Sequence, residues 1–129
     1  MRFLLVDDNP TVRYRLAEAL TQGLRRGAEV LEVERIDSAV QALGTGPFTA
    51  VFFGLGLGGG ESGLDLLKRM TKADPRIVAV VHTSRSESDP LVREALSLGA
   101  CGYLPKPVRV EALQKLLHGL RLEGAPGRI

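Results

Sequence analysis

The chain has 129 residues, enough for one ordinary domain with a real core and too few for two. Its 44% hydrophobic and 25% charged content is that of soluble globular chains and excludes disordered and fibrous classes. A formal charge of +2 without a long basic run gives no electrostatic basis for direct nucleic-acid binding. Cys101, the single cysteine, excludes an internal disulfide and any Cys-cluster metal site, suits a reducing compartment, and reads as a small core residue in its apolar run. No stretch reaches the roughly 20 apolar residues that span a bilayer, and MRFLLVDDNP is unlike a signal peptide, so no membrane contact and a cytoplasmic location are expected.

The first predicted strand is Phe3 to Val6, closed by Asp7 and Asp8. Asn9 is suited to cap the helix that follows and Pro10 to its first turn, with Val12, Leu16, Ala19 and Leu20 on one apolar face and Arg13 pointing elsewhere. Glu29 to Glu34 alternates acid with Val30, Leu31 and Val33, the pattern of an edge strand with one wet face. Asp37 or Ser38 is the expected cap of a short second helix ending near Gly44. The third strand, Ala50 to Phe53, leads into GLGLGGGES; Ser62 then caps a third helix with Asp65 three residues on, and Leu64, Leu67 and Met70 or Thr71 inside. The fourth strand is read as Ile77 to Val81, running into His82, Thr83 and Ser84, and Asp89 with Pro90 opens a fourth helix ending at Gly99. Cys101 to Leu104 is the fifth strand, followed by Pro105, Lys106 and Pro107. Leu113, Leu116, Leu117 and Leu120 give the last helix its apolar face, and a frayed tail is expected over 123–129.

Continuous apolar strands, each followed by a helix, define an α/β fold with a parallel sheet covered on both faces. Right-handed crossovers reduce the topologies to a doubly wound sheet, whose ligands collect beyond the carboxyl ends of the strands. The residues there are Asp7, Asp8, Gly54, His82, Thr83, Ser84 and Lys106. Two carboxylates, a hydroxyl pair and a lysine on one rim suit Mg²⁺ and a phosphoryl group.

LLVDDNP, AVFFGLGLGGGESGLDLL, VVHTS and GYLPKP, in that order and at these separations, resemble the receiver domain of bacterial two-component response regulators, from about Arg2 to Leu120. The resemblance implies a (βα)5 flavodoxin-like domain over 1–122 with strand order 2-1-3-4-5. It implies that Asp7, Asp8 and the Gly56 backbone would hold Mg²⁺, that Thr83, Ser84 and Lys106 would meet a phosphoryl group, and that Thr83 and Tyr103 would act as the switch. The phosphoacceptor aspartate should close the third strand, and that position is Gly54. Glycine has no nucleophile, so acyl-phosphate chemistry is missing at its usual place. Gly58 stands where proline is frequent, and the spacing to Gly63 is one residue longer than the commonest form. Unit charges about 4 Å apart interact by roughly 4 kcal/mol at an effective dielectric near 20, so losing one carboxylate weakens Mg²⁺ binding; no cofactor is required and weak Mg²⁺ binding stays open.

Simpler accounts exist for each residue alone: Asp7 and Asp8 as a strand-end turn, Thr83 as a strand end, Lys106 as a loop lysine, Tyr103 as a half-buried sheet residue. His82 lacks a ligand partner and reads as structural, so no zinc site is expected. Gly54, Gly56 and Gly59 satisfy G-x-G-x-x-G, yet the turn follows the third strand and no acid ends the next, so a nucleotide or phosphate module at Gly54–Gly60 is a weak alternative. Glu61 stands where a P-loop needs lysine; Glu61 and Asp65 read as first-turn acids that complement the helix dipole, and neither as a substitute phosphoacceptor. The leading expectation is a non-enzymatic signalling module, a pseudo-receiver, that contacts signalling proteins or a second copy of itself through the fourth helix, fifth strand and fifth helix. The rival is an ordinary phosphorelay receiver with a sporadic or engineered glycine at position 54. No effector domain follows, which places output in a partner, in self-association or in sequence beyond this chain.

Overall fold

In a computed structural model, which describes residues 1–24 and 27–122, strands and helices alternate along the chain. They are β1 (Arg2–Val6), α1 (Pro10–Gly23), β2 (Glu29–Val33), α2 (Ile36–Leu43), β3 (Ala50–Phe53), α3 (Gly63–Ala73), β4 (Ala79–Thr83), α4 (Pro90–Ser97), β5 (Gly102–Pro105) and α5 (Val110–Gly119). Every strand pair is parallel and the order is β2-β1-β3-β4-β5, the flavodoxin-like arrangement expected. The tail expected to fray, 123–129, lies outside the described residues.

The two faces of the sheet build two cores. Leu4, Val6, Val51, Phe53, Ala79 and Val81 pack against residues of α2, α3 and α4. Phe3, Leu5, Phe52, Val80 and Leu104 pack against Leu16 and Leu20 of α1 and Leu113 and Leu117 of α5. Because β1 and β3 are covered on both sides, the side chains from Phe3 to Val6 and from Ala50 to Phe53 are apolar whichever way they point, which is why these strands read as continuous runs. Removing each Val, Leu or Phe side chain among them from water contributes about 1.5–3 kcal/mol. β2 has one neighbour and keeps Glu29, Leu31 and Glu32 exposed, as an edge strand does.

Three caps fall where the sequence places them. Asn9 accepts from the Thr11 and Val12 amides, Ser62 from Leu64, and Asp89 from Leu91. The Leu91 amide, with Arg85 alongside, holds the Asp89 carboxyl below its ordinary value.

Other expectations need correction. α2 starts at Ile36 with Arg35 at its cap position, and neither Asp37 nor Ser38 caps it. Glu61 lies before the Ser62 cap and not in the first turn of α3; its Oε1 accepts from the Ile36 amide at 2.8 Å and so caps α2 from another loop. Leu66 is fully buried in α3, whereas Leu64 is only half-buried. Cys101 is exposed and not a core residue, because β5 is the opposite sheet edge and begins one residue later, at Gly102. β4 also lies two residues further on than its apolar run suggests, since Val51 pairs with Ala79 and Thr83 with Pro105.

Candidate functional site

β1, β3, β4 and β5 deliver Asp7, Gly54, Thr83 and Lys106 to the same end of the sheet. Asp7 is 4% exposed, and its Oδ1 accepts from the Asn9 amide at 3.0 Å. Its Oδ2 accepts no hydrogen bond, but lies 2.9 Å from Lys106 Nζ, an ion pair without hydrogen-bond alignment. Arg13 Nη1 donates to the Asp7 carbonyl oxygen at 2.8 Å while its Nε pairs with Glu32, which ties α1, β2 and the end of β1 together. Asp8 is exposed.

Gly54 is buried and its amide donates to the Val6 carbonyl, continuing the β1–β3 ladder. A Cβ on Gly54 would lie 2.8 Å from Asp7 Oδ2 and 3.4 Å from the Gly56 carbonyl oxygen. A side chain at the end of β3 would therefore require the end of the Asp7 side chain to shift. Gly63 is also constrained, since a Cβ there would run into the Gly54 carbonyl oxygen.

Thr83 is buried, and its hydroxyl oxygen accepts from the Arg85 amide at 3.2 Å. The Lys106 amide donates to the Thr83 carbonyl at 2.9 Å, which fixes the distance between the ends of β4 and β5. Tyr103 is half-buried and donates its hydroxyl to the Arg85 carbonyl at 2.6 Å, bridging β5 to the β4–α4 loop. His82 is buried on the opposite side of β4 from Val81, in register with Leu104, whose carbonyl accepts from its Nδ1 at 2.8 Å. Burial is the main cause that lowers its pKa from 6.5; the Leu104 bond opposes this, Lys106 adds to it and Asp7 opposes it. Ser84 is exposed and lines a cavity with His82 and Lys106.

A family model for the response regulator receiver domain matches residues 3–118. The chain belongs to this family.

The receiver domain is 35% identical over 123 residues to the transcriptional activator protein ExaE of Pseudomonas putida, covering 92% of this chain and 56% of that protein. It thus spans little more than half the length of that relative. Among solved structures it is similar to NtrX of Brucella abortus, with 25% identity, a TM-score of 0.78, and 93% of this chain against 25% of that one. The chemotaxis response regulator CheY4 of Vibrio cholerae shares the fold, with 22% identity, a TM-score of 0.76 and coverage of 92% and 97%. Receiver domains are signalling modules, and among the described residues no helix is long and apolar enough to cross a membrane.

Whether this receiver domain suits a resident Mg²⁺ turns on its oxygens. Asp7, Asp8 and the Gly56 carbonyl stand at one rim, yet among the described residues no three His, Cys, Asp or Glu side chains converge. The buried Asp7 Oδ2 faces the Lys106 ammonium. Two carboxylates and waters can hold Mg²⁺, but here the ion would share the buried Asp7 Oδ2 with the Lys106 ammonium, which weakens the site.

Part of the glycine-rich loop is tied back to its neighbours. Leu57 donates to the Glu61 carbonyl, Gly58 to Glu34 and Gly63 to Leu55, and Gly58 and Gly59 rest against Arg35. Arg13 and Glu61, which support the rim and the neighbouring loop, carry no sequence signal. Both act across more than one element.

Proposed function

We propose that this receiver domain signals by protein–protein contact and without phosphorylation at the end of β3. The observation that carries this is the missing side chain at Gly54, beside an Asp7 carboxylate that is already paired with Lys106. That arrangement lacks the nucleophile and also engages the lysine that would meet a phosphoryl group. The surface offered to a partner or to a second copy is the face of α4, β5 and α5, which the Tyr103–Arg85 bond couples to the β4–α4 loop. Its relative ExaE is a transcriptional activator, and an output of the same kind, supplied by sequence beyond this domain or by a partner, is consistent with that similarity. Any Mg²⁺ binding is weak and dispensable in this reading.

The rival, an ordinary phosphorelay receiver with a sporadic or engineered glycine, is separated by Gly54→Asp. A new Cβ lies too close to Asp7 Oδ2 for the present geometry, so the substitution displaces a buried, paired carboxylate. Treated with acetyl phosphate and Mg²⁺, the variant is expected to gain no stoichiometric phosphoryl adduct and no shift in oligomeric state. A full adduct with a changed oligomeric state would favour the rival.

A further inference from the structure

A cavity of about 550 Å³ opens at the amino ends of β3 and β4, the pole of the sheet opposite Asp7, Thr83 and Lys106. Its apolar wall is Leu43 at the end of α2, Phe48 before β3, Met70 in α3, and Ile77 and Val78 before β4. Met70 is buried and closes the floor, whereas the other four are half-buried and keep apolar surface open to water. Val40, also in the wall, is 45% exposed. The apolar run that predicts the fourth strand begins at Ile77, yet β4 begins at Ala79, so the first two residues of that run wall this cavity. The α2–β3 loop on one side is tied down. Arg2 Nη2 donates to Thr45 Oγ1 at 2.8 Å, the Thr49 amide donates to the Arg2 carbonyl at 2.6 Å, and the Arg2 guanidinium lies 4.2 Å from the centre of the Phe48 ring.

The charged groups of the wall are Arg69, Arg76 and Asp74. Asp74 Oδ1 accepts from the Arg76 amide at 3.0 Å, and neither guanidinium pairs with a carboxylate of a described residue. Two positive charges against one leave the rim net positive. The last carbonyls of the two helices that end here are already met, those of Val40 and Gln41 by the Gly44 amide and that of Met70 by the Asp74 amide, which reduces the negative charge the helix ends present. An open apolar wall calls for an apolar body that removes it from water. A guanidinium fork without a partner calls for a carboxylate, which it meets through two parallel N–H···O bonds. The volume lies within the range of small-molecule pockets. Self-association through this pole would bring two such rims together with like charge on both.

We propose that this cavity binds a small amphipathic carboxylic acid, its aliphatic or aromatic body against Phe48, Met70 and Ile77 and its carboxylate at Arg69 and Arg76. A short acid has the charge but leaves the apolar wall wet. An amine with the same body covers the wall but brings a cation to two guanidinium groups.

The test is a titration of the chain labelled with ¹³C at its methionine methyl groups, in which Met70 reports the cavity and Met1, packed on the opposite face of the sheet, is the internal control. Octanoate and naphthoate are the probes and separate an aliphatic from an aromatic body; octylammonium and propionate are the controls. Octanoate or naphthoate is expected to shift the Met70 methyl resonance saturably while Met1 stays, and the tighter of the two identifies the body. Each control is expected to bind at least about tenfold more weakly, and Arg69→Gln with Arg76→Gln in one chain to weaken the acids about tenfold or more with the fold unchanged. A Met70 methyl that neither acid moves, a response to octylammonium equal to that of octanoate, or binding indifferent to the double variant would each overturn the proposal. So would a Met70 resonance that moves on dilution of the ligand-free chain, which would assign this pole to a second copy.

Discussion

Asp7 carries more of the site than any other side chain: one oxygen is held by the Asn9 amide, the other faces Lys106, and its carbonyl is held by Arg13. The Asp7 side chain is 6% exposed and that of Lys106 23%, so the pair lies between the buried and surface regimes. Lys106→Met leaves a buried carboxylate without its counter-charge and is expected to cost about 1–3 kcal/mol in urea denaturation. Asp7→Asn in the same chain should recover most of that loss. A double variant as unstable as the sum of the two singles would deny the coupling. His82 makes a different kind of prediction. Its folded-state pKa lies below 6.5, so the unfolded chain binds the extra proton first as pH falls, and stability drops on acidification through that range. Compared with His82→Gln, the native chain should lose its stability advantage between pH 7.5 and 5.5; a constant difference would contradict this. The sequence showed the Asp pair, Thr83, Lys106 and the missing carboxylate, because each ends a strand on one rim. It did not show that the Asp7 carboxylate lies against Gly54, since that depends on two residues 47 apart whose proximity only the β1–β3 register creates.

The elements were legible where burial acts on a whole run. Phe3–Val6 of β1 and all of β3 are apolar because both faces are covered, and Asn9, Ser62 and Asp89 announce their helices by local hydrogen bonding alone. The errors occur where a long-range partner decides. β4 continues through His82 and Thr83 because β5 pairs with them, although both residues look like the end of an apolar run. Cys101 looks like core from its neighbours, yet it precedes an edge strand. α2 has no cap of its own, and Glu61, 25 residues away, supplies one. Glu61→Ala is expected to cost about 0.5–2 kcal/mol and to raise amide exchange at Ile36 and the first turn of α2. Unchanged exchange there, with the fold intact, would show that the cross-loop cap is energetically silent.

For the whole molecule, the receiver fold carries a glycine, Gly54, at the end of β3. The parallel sheet, its two apolar layers, and the Thr83, Tyr103 and Lys106 contacts that join β4 and β5 are all present, and these link the rim to the α4–β5–α5 face. In the proposed reading the starting point of the switch is different, a neutral glycine beside the Asp7–Lys106 ion pair in place of an acid that can be phosphorylated. The most direct test is the intact mass of the native chain after incubation with acetyl phosphate and Mg²⁺. The expected result is an unmodified mass, with no change in oligomeric state. A stoichiometric phosphoryl adduct would contradict the account.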